Sequence, residues 1–257
     1  MKFGLDEYAH LDSPLHRWEP RSKLVALLVL IFAFAFVKAL WLLPPMIIIT
    51  AVLYGISRIP LSYLRQRLKF PGYFIGALVL LLPFVGGQTV ILELGPLSIK
   101  QEGVETAVLV AVRFTCIITV SLLLFGTSPF LKTIKAMRSL GLPEIMTDMV
   151  LLTYRYLFEI GDYLNRMGTA IRLRGFRHGG RTMAQVTTMT ALIGNLLVRS
   201  YEQSERVYHA MVLRGYGATP PAKNEFQTKQ PDIFRLAFVI IVAVCFVGAQ
   251  IYLDTTL

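Results

Sequence analysis

Two seven-residue segments lie forty positions apart and agree at five positions, counting Phe with Tyr: Ala170-Ile171-Arg172-Leu173-Arg174-Gly175-Phe176 and Ala210-Met211-Val212-Leu213-Arg214-Gly215-Tyr216. A glycine after a helical run is a natural stop, because it enters the left-handed region without the Cβ penalty. Arg174 and Arg214 are therefore expected in the last turns of two helices. Two chemistries are open to them there. An arginine complements the negative end of the helix dipole and serves as a cap. It can also project its planar guanidinium into an acidic pocket on a partner, where the fork makes two parallel bonds to a carboxylate. Repetition tilts the reading toward a partner, although two copies are too few for a solenoid.

Other chemistry is sparse. No G-x-x-x-x-G-K-[ST] stretch exists in the chain, so it has no P-loop with which to cradle ATP phosphates. His10, His16, His178 and His209 form no ligand pattern with cysteines or acids, and Cys116 and Cys245 each sit inside an apolar run. No paired carboxylates and no nucleophile with a neighbouring base stand together. No catalytic, cofactor-binding or metal-ligating residue is nominated, and no cofactor is expected. Arg113 is the one firm charge inside an apolar segment, where an ionisable group is expensive; pairing with Glu159 or with a backbone carbonyl is expected of it, as a packing or a functional group.

The elements that carry these residues are set by composition. Of 257 residues 54% are hydrophobic and the mean hydropathy is +0.57, too apolar for a soluble domain. Lys and Arg number 26 against 16 Asp and Glu, an excess that the positive-inside rule explains before nucleic acid needs to be invoked. The stretch from Met1 to Pro20 is polar and acidic, unlike a cleaved signal peptide, so the first apolar segment is expected to stay.

Five spans are expected. The first is Leu24 to Val37, continued by Ala39 to Leu43 until Pro44-Pro45 breaks it; the second is the short Met46 to Ile56, extended by Pro45 and part of Ser57 to Leu61. Gly72 to Gly87, broken by Pro83 and Gly86-Gly87, is the third, Val104 to Phe125 the fourth, and Ile233 to Leu253 the fifth. Basic residues collect in 1–23, in the loop 58–69 (Arg58, Arg65, Arg67, Lys69) and in 126–235, whereas the other side holds only Lys38 and Lys100. The N-terminus is thus expected inside and the C-terminus and the loop 88–103 outside. The fold class expected is all-α: a membrane domain over 1–125, cytoplasmic helices over 126–232, and a fifth transmembrane helix with an external C-terminus over 233–257.

Within 126–232, Thr127-Ser128-Pro129 reads as a capped start with proline at the first helical position, and Gly141-Leu142-Pro143 as a stop. Glu144 to Ile171 and Met183 to Leu213 then place apolar residues such as Leu151, Tyr154, Leu157 and Phe158 among charges at helical spacing. The tyrosines and methionines here suit either a core or a surface that repacks against a moving partner.

Taken together, Ser13-Pro14-Leu15-His16-Arg17-Trp18-Glu19-Pro20-Arg21-Ser22-Lys23, Leu140-Gly141-Leu142-Pro143, Tyr154-Arg155-Tyr156 and the paired Arg-Gly motifs resemble the transmembrane T component of energy-coupling-factor transporters, the EcfT group, and more closely its CbiQ-type members. The family often has alanine before each motif arginine, where this chain has Leu173 and Leu213. The resemblance implies a non-enzymatic coupling subunit in a bacterial or archaeal cytoplasmic membrane. It implies two ATP-binding partners of the CbiO or EcfA type and a substrate-binding membrane partner of the CbiM type, for uptake of cobalt or nickel. Leu173, Arg174, Gly175, Leu213, Arg214 and Gly215 are the residues expected to carry the ATPase contact. The rival from another class is a self-sufficient secondary transporter, which needs ion-binding groups near the bilayer midplane.

Overall fold

The computed structural model describes residues 13–85, 90–94, 97–175, 183–217 and 230–256. It is helical, with one hairpin among the described residues, and divides into two compact units. One unit runs up to Leu142 and resumes with the last helix; the other begins at Pro143 and contains the two long amphipathic helices.

The first unit holds α1 (Pro20–Phe36), α2 (Leu43–Ser57), α3 (Leu61–Val85), β1 (Val90–Leu94), β2 (Leu97–Lys100), α4 (Gln101–Gly126), α5 (Phe130–Ser139) and, from the far end of the chain, α8 (Gln230–Thr256). Helix α4 packs against α1, α2 and α3, and α8 packs against α1. Their shared core includes Leu27, Leu30, Phe34, Met46, Val120 and Leu123, with Phe34 meeting Phe246 edge-on at 5.4 Å between centroids. Among the described residues, three helical stretches are long and apolar enough to cross a bilayer: 40–57, 101–126 and 230–255. Of the other two expected spans, α1 has 17 residues, and α3 carries Arg65, Arg67 and Lys69 in its early turns.

The first expected span does not continue to Leu43. Helix α1 stops at Phe36, a 3₁₀ turn occupies Leu40–Leu42, and Pro44-Pro45 opens α2 instead of ending α1. The reason is that a proline is tolerated in the first turn of a helix, where its missing N–H has no partner to lose. The break leaves backbone groups that lipid cannot satisfy, so side chains must. Gln250 of α8 accepts from the amides of Lys38 and Ala39 through Oε1 at 2.9 and 3.0 Å, and Arg113 of α4 donates to the carbonyls of Ala35 and Val37 at 3.3 and 3.1 Å. Of the partners expected for Arg113, backbone carbonyls are the ones it bonds.

The expected loop 58–69 shrinks to three residues. Arg58 takes a left-handed conformation (φ 56°), Ile59-Pro60 follows, and α3 is helical from Leu61, because Leu, Arg and Gln are good helix formers whatever their charge. Pro83 does not break α3, which runs to Val85; Gly86-Gly87 lies outside the described residues. The expected loop 88–103 contains the antiparallel hairpin, Val90 opposite Lys100 and Leu94 opposite Leu97, with an irregularity between Val90 and Leu92.

Two polar side chains fix the corner where α4 gives way to α5. Thr127-Ser128-Pro129 was expected to open α5 with a cap hydroxyl and Pro129 at the first helical position, but Pro129 itself occupies the cap position and makes no side-chain cap. The Thr127 hydroxyl instead donates back to the Leu123 carbonyl. It also accepts from Lys23 Nζ at 2.9 Å, while the same ammonium donates to the carbonyls of Thr127 at 3.2 Å and Leu15 at 3.3 Å. Three acceptors around a buried ammonium answer its three N–H bonds. Lys23 thereby ties the N-terminal segment, α1 and the end of α4 together. Helix α5, grouped by sequence with the cytoplasmic helices, packs on α1 within this unit.

Candidate partner-docking site

The second unit is built on α6 (Glu144–Leu173) and α7 (Met183–Leu213). Gly141, at φ +111°, ends the preceding turn, and Pro143 stands at the N-cap of α6 with Glu144 in its first turn, where an acid complements the dipole. The amphipathic pattern read from sequence places α7 with the bounds observed and α6 two residues short of its end.

Both Arg-Gly segments terminate their helices in the same way. At the end of α6 the Arg174 amide donates to the carbonyls of Ala170 and Ile171 at 3.2 and 3.1 Å, and Gly175 donates to Arg172 at 3.0 Å. At the end of α7 Arg214 donates to Met211 at 3.1 Å, Gly215 to Val212 at 2.9 Å, and Tyr216 to Met211 at 3.0 Å. Gly175 and Gly215 have φ of +89° and +81°. A Cβ built at either meets nothing within 4 Å, so backbone conformation and not space requires glycine there. The arginines therefore sit at the cap position, one residue past the last helical turn in which they were expected, because the chain begins to turn away at the arginine itself.

This geometry bears on what the two guanidinium groups do. The last carbonyls are closed by main-chain amides, and neither guanidinium bonds to a described residue. Leu173 and Leu213, the residues before them, are 84% and 88% exposed. Each helix end thus presents a leucine, an arginine and a glycine outward as a unit.

Between α6 and α7 lies a groove of about 640 Å³, whose lining includes Met149, Tyr156, Leu157, Leu196, Val207 and Met211. Side chains bridge the two helices across it. The Arg199 guanidinium lies 4.0 Å from the centroid of the Tyr163 ring, a cation–π contact, and the Tyr216 hydroxyl donates to Asp148 Oδ2 at 3.0 Å. Neither bridge was found from sequence; only the aromatic at the seventh position of each Arg-Gly segment hinted at the second. Of the thirty residues of α6 only Thr147 is buried, while Ile145, Met149, Val198, Tyr201 and Tyr208 on the two helices are all more than half exposed. Exposed apolar side chains interleaved with charges make this surface a candidate interaction site.

The chain is similar to known proteins along most of its length. The family described as "Cobalt transport protein", CbiQ, matches residues 12–226. The energy-coupling factor transporter transmembrane protein EcfT of Limosilactobacillus fermentum is 28% identical over 258 residues, covering 96% of this chain and 97% of its own. The protein of the same name from Heliobacterium modesticaldum is 29% identical over 231 residues, covering 82% and 83%, and that from Streptococcus equi is 26% identical over 255, covering 95% of each. Long apolar helices, a family match across most of the chain and full-length relatives together make this a multi-pass cell-membrane protein that belongs to the CbiQ family, the transmembrane T components of energy-coupling-factor transporters.

Proposed function

We propose that the chain is the non-catalytic coupling subunit of an importer. Two ATP-binding subunits of the CbiO or EcfA type dock on the Arg174 and Arg214 ends, and a substrate-binding membrane subunit of the CbiM type docks on the apolar surface of α6 and α7. Closure of the ATPases is passed through these helices to the substrate-binding subunit. The cargo is cobalt or nickel, cobalt being favoured by the CbiQ-type N-terminal segment and by the description of the matched family. The selecting ligands belong to the substrate-binding partner. The membrane topology of this reading has α1, α2, α3, α4 and α8 crossing, the N-terminus and 126–232 inside, and the hairpin and C-terminus outside, following the distribution of basic residues.

The observation that carries the proposal is the pairing of two glycine-set helix ends whose carbonyls are already closed by the backbone, leaving each arginine for another molecule. The competing reading, a self-sufficient secondary transporter, loses its best residue, since Arg113 is occupied in closing the end of α1.

The test is the double variant R174A/R214A, co-expressed with the ATPase and substrate-binding subunits. As dipole partners at exposed helix ends the arginines contribute only about 0.3–1 kcal/mol each, so the chain should stay folded and inserted. A desolvated charge pair at an interface costs roughly 2–5 kcal/mol when broken, so the ATPase subunits should be lost on purification and ATP-dependent uptake abolished. Lysine should rescue poorly, because a point charge does not reproduce the bidentate fork. A double variant that assembles and transports would return both arginines to the role of caps.

A further inference from the structure

The two Arg-Gly segments differ at their seventh position, Phe176 in the first and Tyr216 in the second. The additional oxygen is used. The Tyr216 hydroxyl donates to Asp148 Oδ2 at 3.0 Å, joining the residue just past Gly215 to the early part of α6. Tyr216 also closes the end of α7 through its own amide, which bonds the Met211 carbonyl at 3.0 Å. Both Tyr216 and Asp148 line the groove between the two helices. Tyr216 therefore belongs to two surfaces at once: its ring is part of the groove wall, and its backbone is part of the turn that aims Arg214.

We infer that Tyr216 is a positioning residue whose hydroxyl bond to Asp148 links the Arg214 end to the groove, so that this end responds when the substrate-binding subunit occupies it. The inference rests on the coupling reading above. A phenol ring has few rotamers, so an occupant that packs on it or displaces it acts on the Asp148 bond directly. The displacement is handed on through the Tyr216 amide to the last turn of α7, one residue from Arg214. Coupling of this kind is reciprocal in binding free energy: whatever the groove's occupant does to the affinity for an ATPase subunit, the ATPase subunit does to the occupant. At the matching position of the Arg174 segment stands Phe176, which has no hydroxyl to donate. The two ends are thus unequal, with Arg214 the end that senses the groove.

The test measures this coupling without reference to the transported ion. The full chain is placed in lipid nanodiscs with and without its substrate-binding subunit, and its own ATPase subunits are titrated onto each preparation. In the wild type the substrate-binding subunit should change ATPase affinity by about 5-fold or more, the lower end of ordinary coupling between sites. In Y216F the affinity of the chain alone should stay within about twofold of wild type while the ratio between the two preparations falls toward one. D148L should behave as Y216F does, and Y216F/D148L should be no worse than either, as for two groups acting through one bond. D148N should keep the wild-type ratio, since its amide oxygen still accepts the phenol proton. A ratio near one in the wild type, a ratio that survives Y216F, or additive losses in the double variant would each overturn the inference. So would a Y216F that binds ATPase as poorly as R214A, because Tyr216 would then be a contact and not a positioner. The coupling reading itself is judged separately: it falls if R214A leaves ATPase affinity unchanged, whatever Y216F does.

Discussion

The unit of α1 to α5 and α8 and the unit of α6 and α7 both expose large apolar side chains, yet for opposite reasons. In the first, Phe32, Ile48 and Phe238 are more than half exposed on charge-free stretches above a packed core that fully encloses Leu27, Phe34, Met46 and Val120. Exposed apolar residues on charge-free stretches are the kind that lipid suits. In the second, Met149, Leu197, Tyr201 and Leu213 are just as exposed, but they alternate with Arg155, Glu159, Asp162 and Arg166, and α6 encloses only Thr147. Apolar surface interleaved with charges suits neither lipid nor water. It suits a protein partner, which has both kinds of group to offer. Exposure alone does not single out a docking surface; exposure without a core beneath it, in a charged neighbourhood, is what makes α6 and α7 the candidate.

The sharpest way to break this comparison is to truncate one side chain from each kind of position. F34A removes a fully buried ring that meets Phe246, and its cost should be about 3 kcal/mol, the low end of the usual 3–5, because lipid provides no hydrophobic drive between helices and only packing is lost. L173S/L213S should leave stability within about 0.5 kcal/mol, as surface changes do, while lowering recovery of ATPase subunits on purification. Thermal unfolding in detergent and pull-down of co-expressed subunits read the two effects. If L173S/L213S unfolds the chain, α6 and α7 have a core of their own and the distinction fails.

A smaller effect is expected at Lys23, where the first unit is joined by a polar contact and not by packing. K23M keeps the length of the side chain and removes all three bonds to Leu15 and Thr127. Stability should fall by about 1–3 kcal/mol, the penalty for leaving buried acceptors unpaired. T127A removes one of the three acceptors and the hydroxyl's donation to the Leu123 carbonyl, which keeps its bond from the Thr127 amide, so it should cost about 0.5–1.5 kcal/mol, close to the net worth of a single bond. Equal losses in the two variants would show that the ammonium is held by Thr127 Oγ1 alone.

The sequence made legible what depends on periodicity and local stop signals. The bounds of α7, the end of α6 to within two residues and the two glycine turns all follow from spacing within one stretch of chain. Features that depend on distant residues or on the direction of a local effect were not legible. Pro44-Pro45 reads equally as the end of one helix or the start of the next, and only Gln250 and Arg113, supplied by α8 and α4, settle where α1 stops. The basic residues of 61–69 suggested a side of the membrane but said nothing about whether they were helical. Lys23 finds Thr127 across 104 positions, a distance no local pattern spans. Phe176 and Tyr216 counted as equivalent in the repeat, and the difference between them is the hydroxyl that bonds Asp148.

The glycines that end α6 and α7 test the second unit most finely, because stability and docking should respond to them unequally. At φ near +80 to +90° an alanine costs about 1–2 kcal/mol for its Cβ, with no neighbour to clash against, so G175A and G215A should be mildly destabilising and no more. Asparagine tolerates the left-handed region better than alanine and should recover most of that loss. The functional readout should not track these small numbers. If the helix end relaxes to spare an alanine from strain, the arginine before it changes direction, and a bidentate contact depends on direction as much as on charge. G215A should therefore lower ATPase recovery well beyond its effect on unfolding, and G215N should hold near wild type. Loss of recovery in proportion to loss of stability would mean that the glycine matters only as a stop, and that Arg214 finds its partner without help from the turn behind it.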